Sequence, residues 1–107
     1  MSTIKEDYCS KEIYRLLREK GFDGEVHTTF DKEGYTQPSI TLQMAMKWLR
    51  EVHNLHIEVR YFPTPNIYRY VILRSPMTID NIDSHPQYFN SYEEACEAAI
   101  KYCLDLI

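Results

Sequence analysis

The stretch SYEEACEAAIKYCLDLI, residues 91–107, decides the fold, because it has the pattern of a complete amphipathic helix that must cover a core. Ser91, followed three residues later by Glu94, forms a capping box, which marks a helix N-terminus. Charged residues then recur on one side of a 3.6-residue period, at positions 93, 94, 97, 101 and 105. The other residues are apolar or small. The stretch therefore predicts a surface helix with a broad buried face that closes a compact domain.

The rest of the chain has the composition of an ordinary globular protein. Its 107 residues are 44% hydrophobic and 26% charged, which predicts a single domain over residues 1–107 with one hydrophobic core. The net charge is −4, and Lys101 is the single basic residue after Arg74, against six acidic residues. This acidic C-terminal third is poorly suited to binding nucleic acid or an anionic membrane.

Cysteine usage and hydropathy indicate the compartment. The chain has three cysteines, and its N-terminus lacks the apolar stretch of a signal peptide. This predicts free thiols and a cytoplasmic location. Because no apolar run approaches the ~20 residues that span a bilayer, we expect no membrane association.

The first half of the chain predicts two helices separated by a strand. The first helix covers residues 8–20 and ends at Gly21. The residues 25–30 predict a half-buried strand, in which Val26, Thr28 and Phe30 alternate with the residues between them. A turn follows at 31–34, and then a short return arm that Pro38 ends. The second helix covers 41–53, and its predicted buried stripe is Leu42, Ala45, Met46, Leu49 and Val52, widened by Met44 and Trp48.

The second half predicts an antiparallel hairpin. A strand is indicated by the alternation of apolar with polar residues at Leu55, Ile57, Val59 and Tyr61. A turn at 63–66 leads to a second strand at 67–74. This strand is apolar on both faces, so it is predicted to be the central one. Residues 75–90 are expected on the surface of the core, with a short edge strand. The predicted fold is α+β, a two-layer sandwich of three helices and a small antiparallel sheet of about three strands, in the order αβαββα.

Groups that could carry chemistry are few. Cys9 lies at a helix start, where the dipole lowers a thiol pKa, so it is either a nucleophile or a small core residue. His53 and His56 are three residues apart across a helix end, a spacing that does not suit a zinc pair. We therefore predict no catalytic residues, no metal and no cofactor.

The hairpin offers the most suggestive surface. Arginines and tyrosines together are typical of platforms that stack single-stranded nucleic acid, yet the same tyrosines could form the core face beneath the helices. With two aromatic residues of the following segment, the candidate binding surface comprises Arg60, Tyr68, Arg69, Tyr70, Arg74, Tyr88 and Phe89.

Three segments, CSKEIYRLLREKGFD (9–23), TLQMAMKWLREVHNLHIEV (41–59) and SYEEACEAAIKYCL (91–104), resemble a group of small uncharacterised proteins of gut-bacterial genomes and their phages. The resemblance covers about half of the chain and implies a phage or mobile-element accessory role, without an activity.

The sequence as a whole predicts a small interaction protein without enzymatic activity that binds a protein partner through a sheet face, a sheet edge or the segment 75–90. The alternative is a nucleic-acid-associated accessory protein that uses the hairpin 55–74.

Overall fold

The computed structural model describes residues 7–74, 82–84 and 87–107, with the backbone alone for 82–84. The described elements are α1 (Lys11–Glu19), β1 (His27–Phe30), β2 (Thr36–Ser39), α2 (Leu42–His53), β3 (His56–Phe62), β4 (Ile67–Leu73), β5 (Ile82–Ser84) and α3 (Tyr92–Leu106). The predicted α+β class and the predicted order of elements are confirmed, with β2 and β5 as additional short strands.

The strands do not form the single sheet that the sequence predicted. Among the described strands, β1 pairs with β2 alone, in an antiparallel ribbon that is separate from the β3–β4–β5 sheet. β3 and β4 form the predicted antiparallel hairpin, in a continuous register from His56 opposite Leu73 to Phe62 opposite Ile67. β5 pairs with the other edge of β4 over three residues, so β4 is central, as its two apolar faces predicted.

All three helices begin at a side-chain cap that the sequence already contains. Ser10, Thr41 and Ser91 each accept a hydrogen bond from the backbone N–H three residues on, which satisfies one of the free donors of the first turn. The first two helices end on left-handed residues, Gly21 at φ 96° and Asn54 at φ 57°. Local sequence therefore sets where the helices start and stop.

The core lies where α3 packs against the hairpin and the other two helices. Its small residues Ala95, Cys96 and Ala99 are fully buried, which allows the close approach of neighbouring elements. Trp48 and Leu49 of α2 are also buried, as predicted. Val52 is a correction: it lies on the side of the buried stripe but in the last turn of α2, and 60% of it is exposed.

The predicted half-buried strand at 25–30 is present as β1, and the structure shows which of its two faces is covered. His27 and Thr29 are half-buried, whereas Thr28 and Phe30 are exposed. Pro38 does not end the return arm but lies within β2, opposite Thr28. A ribbon of two strands leaves an outer edge on each, and proline is tolerated at such an edge. The ribbon makes few contacts with other elements.

Within the segment 75–90, the structure describes β5 and residues 87–90. The expected edge strand is present as β5. The expectation that the whole segment lies on the surface of the core concerns residues that are mostly outside the described ones. Among the described helices, none is both long and apolar enough to cross a membrane.

Candidate interaction surface

The β3–β4 hairpin, which carries most of the predicted binding surface, separates its tyrosines from its arginines. Val59 pairs with Tyr70, and both belong to the core or pack against it. Side chains alternate between the two faces of a strand. Arg60 and Arg69, which pair with each other, therefore lie on the face that turns away from the core.

Tyr70 is a core residue. Only 3% of it is exposed, and its ring lies 6.0 Å from that of Phe89 and 6.2 Å from that of Tyr102. Burial, with smaller contributions from Tyr102 and Cys103, raises the pKa of Tyr70 to about 12. Its ring is therefore covered and is not available to stack a base. Of the two interpretations of Tyr70, stacking residue or core residue, the second describes its position.

Tyr68 shares the core face but lies nearer the hairpin turn and is half-buried. Its ring lies 5.0 Å from Tyr61 and 6.4 Å from Tyr92. Tyr61 is 51% exposed, and its hydroxyl donates a hydrogen bond to Oδ1 of Asn66 at 2.7 Å. These three rings form an aromatic cluster at the end of the hairpin, of which the sequence had identified only Tyr68 as a candidate.

The outer face of the hairpin brings together three of the seven candidates. Arg60 Nε lies 2.6 Å from Oε1 of Glu58. The guanidinium carbon of Arg69 lies 5.2 Å from the ring centroid of Tyr88, a cation–π distance. Tyr88 is 59% exposed. Arg60, Arg69 and Tyr88 thus form a small cationic and aromatic surface without Tyr68 and Tyr70.

The remaining two candidates lie elsewhere. Phe89 exchanges two backbone hydrogen bonds with Tyr68, at 2.8 and 2.9 Å, and its half-buried ring packs against the core. Arg74 directly follows β4 and is half-buried. Phe89 therefore extends the β4 edge beyond β5 and has a structural role at this position.

The thiols are in the wrong environment for a nucleophile. Cys9 lies just before the cap of α1, but burial, followed by the charge of Glu97, raises its pKa from 9.0 to about 12. Burial likewise raises the pKa of Cys96 to about 11. Both thiols are protonated near neutral pH, and all three cysteines are free and buried. The expectation that the helix start lowers the Cys9 pKa is wrong, because loss of solvation outweighs the dipole.

The two histidines have separate surroundings. The ring of His53 packs edge-on against Trp48, with centroids 4.7 Å apart. Nε2 of His56 lies 3.3 Å from Oδ1 of Asn54. Within the described residues, no group of three or more His, Cys, Asp or Glu side chains is placed to hold a metal ion.

Sequence reasoning missed the aromatic residues of the β1–β2 ribbon. Phe30 and Tyr35 flank the ribbon turn and are 70% and 72% exposed, and Val26 at the base is 37% exposed. Asp31 Oδ1 accepts hydrogen bonds from the backbone of Glu33 and Tyr35, at 3.0 and 2.9 Å, and so stiffens the turn. The available signal was an aromatic residue on each side of a D-x-x-G turn.

A second surface feature is an open groove of about 290 Å³ beside α2. Phe22, Met44 and Trp48 contribute apolar lining, and Lys47 and Glu51 contribute charge. Phe22 and Trp48 are themselves buried and pack edge to face at 5.7 Å. The groove is therefore a shallow depression over core residues.

Comparisons with known protein families, curated proteins and solved structures find no match to this chain.

Proposed function

We propose that this protein is a small interaction protein, without enzymatic activity, that binds a protein partner through the tip of its β1–β2 ribbon. The observation that carries the proposal is the exposure of Phe30 and Tyr35, at 70% and 72%. Large aromatic side chains are normally covered in a folded domain, and they are enriched at the energetic centres of protein interfaces.

The ribbon has the form of a docking element. It is tied to the domain near its base: a backbone bridge joins Tyr8 to Thr41, and the ring of Tyr8 lies 5.7 Å from that of His27. Its tip makes few contacts with the other elements. Ordering of the turn by Asp31 reduces the entropy that binding would otherwise cost.

The charges of the ribbon favour protein over nucleic acid. Glu25, Asp31 and Glu33 outnumber Lys32. A phosphate backbone would meet net negative charge here. The partner surface that fits is an apolar pocket with a basic rim.

The protected thiols favour a non-catalytic role, because thiols with raised pKa values are poor nucleophiles at neutral pH. Three free, buried cysteines also fit a reducing compartment, which we take to be the cytoplasm. The resemblance of three segments to proteins of gut-bacterial genomes and phages supports an accessory role in a phage or mobile element.

One observation favours a second candidate function. Arg60 and Arg69 are neighbours, and the exposed ring of Tyr88 lies against Arg69. In a two-layer arrangement, with the helices on the other side of the hairpin, this surface faces away from the helices. Glu58, however, lies 2.6 Å from Arg60 and reduces the positive charge available to phosphate.

The test of the ribbon is a pull-down from the native host with wild-type protein and the double variant Phe30→Ser/Tyr35→Ser, followed by titration of the purified partner. We expect the double variant to bind at least about tenfold more weakly, the loss typical of removing central aromatic contacts. The matched control is Tyr88→Ser, which removes a ring that is 59% exposed from another surface. Equal partner binding by the wild type and the ribbon variant would contradict the proposal.

A further inference from the structure

The outer edge of β3 is open in the described part of the structure. The sheet order places β3 at one end, and no described strand pairs with its outer edge. Exposed edges offer a row of backbone donors and acceptors to another strand, and natural proteins protect them with charged side chains, proline, bulges or short length. β3 has seven residues, none of them proline or glycine, in a register without a bulge.

The hydrogen bonds of β4 show which β3 groups face outward. The N–H and C=O of Tyr68 bond to Phe89, on the side of β4 away from β3. Tyr68 and Tyr61 are therefore a non-hydrogen-bonded pair. Because hydrogen-bonded and non-hydrogen-bonded pairs alternate along two antiparallel strands, every second pair counted from this one is also non-hydrogen-bonded. It follows that the backbone groups of Ile57, Val59 and Tyr61 point to the open edge.

From this edge we infer that two copies of the chain associate by antiparallel pairing of β3 with β3, about a two-fold axis at Val59. This register overlaps the whole strand and places the outward groups of Ile57, Val59 and Tyr61 opposite one another. Three hydrogen-bonded pairs would form, each exchanging two bonds, about six bonds in all. Identical copies related by a two-fold axis form a closed, self-complementary interface.

The charges of β3 are complementary to themselves in this register. Glu58 pairs with Arg60 of the partner subunit, and Arg60 pairs with the partner subunit's Glu58. These are non-hydrogen-bonded positions, where side chains approach most closely. Shifting the axis to Glu58 or Arg60 would instead bring like charges together, Glu58 opposite Glu58 or Arg60 opposite Arg60.

The surroundings of Arg60 add a reason for the pairing. Within one chain, Arg60 lies opposite Arg69 and beside the carboxylate of Glu58. The side chains of Glu58 and Arg60 are 45% and 55% exposed. A second carboxylate, that of the partner subunit's Glu58, would add to the attraction at Arg60. The helix-side residues Ile57 and Tyr61 would bury further apolar surface.

The test measures the oligomeric state by analytical ultracentrifugation over about 1–200 μM, a range in which weak to moderate dissociation constants can be measured. We expect a monomer–dimer equilibrium for the wild type. Glu58→Arg alone and Arg60→Glu alone should each raise the dimer Kd at least about tenfold, because like charges then face each other. Circular dichroism confirms that each variant is folded.

An equimolar mixture of the two variants is the decisive sample. The first variant carries Arg at both positions and the second carries Glu at both, so their β3 strands are complementary and should form a heterodimer with close to wild-type Kd. A wild-type protein that remains monomeric throughout, a dimer that survives either single variant, or a mixture that fails to associate would each overturn the inference. Phe30→Ser/Tyr35→Ser, which changes the ribbon, should dimerise normally.

Discussion

Arg60 and Arg69 lie directly opposite each other on the antiparallel strands β3 and β4. Like charges in such a pair repel. Each guanidinium has a different neighbour that offsets the repulsion: Glu58 Oε1 lies 2.6 Å from Arg60, and the Tyr88 ring centroid lies 5.2 Å from Arg69. The two arginines make the outer face of the hairpin cationic. The tyrosines of the core lie on the other face.

Nucleic-acid binding, if it occurs, should depend on this arginine pair. Our main proposal predicts no binding tighter than ~1 μM to single- or double-stranded probes in fluorescence anisotropy at near-physiological salt, since non-specific binding is weaker than this. Tighter binding that Arg60→Ala and Arg69→Ala abolish would promote the second candidate function. Tyr70→Phe serves as the control, because this buried hydroxyl cannot contact the probe.

Leu49→Ala should destabilise the protein by about 2–5 kcal/mol, because it opens a cavity at a fully buried position of α2. The measurement is the free energy of unfolding from urea titration. Val52→Ala, three residues further along the same helix but 60% exposed, should cost less than about 1 kcal/mol. Similar losses for the two variants would contradict the assigned buried face of α2.

The protein should lose stability as the pH rises above about 9. Burial raises the pKa of Cys9 from 9.0 to about 12, so the unfolded thiol ionises at lower pH than the folded one. The unfolded state then binds fewer protons, and rising pH favours it between these two values. Urea titrations at pH 7 and about pH 10 measure the effect, which Cys9→Ala should reduce. Stability that is constant over this range would argue against a buried Cys9.

The same burial predicts slow thiol chemistry. All three cysteines should resist a thiol-reactive label near neutral pH in the native protein and react promptly in denaturant. Mass spectrometry after brief labelling distinguishes the sites. Rapid modification of native Cys9 would reopen its role as a nucleophile.

Gly21→Ala should destabilise the protein by about 1 kcal/mol. Gly21 has a φ of 96°, which a residue with a β-carbon adopts at a cost. A β-carbon there would meet no atom within 4 Å, so the loss reflects the backbone alone. Thermal unfolding measures it, with the exposed helix position Glu19→Ala as a control expected to change little.

The sequence by itself determined the local structure of this protein. The Ser91 cap and the glycine after α1 act over a few residues, and the structure has both where the pattern predicted. Ser10, Thr41 and the αL residue Asn54 act over equally short distances at the other helix ends. The alternation of Ile57, Val59 and Tyr61 likewise determined the strand and its faces. These signals could be recognised because their interactions span only one turn of helix or one pair of neighbouring residues.

The tertiary structure decided which faces are buried and which side chains meet. Thr28 and Thr29 alternate along β1, yet only Thr29 is half-buried, because the packing of the ribbon base selects the face. Tyr70 is buried through contact with α3, and Arg69 turns outward in the same strand. Cys9 has a raised pKa because distant parts of the chain cover it. Burial depends on contacts between residues far apart in sequence, and local patterns do not encode those contacts.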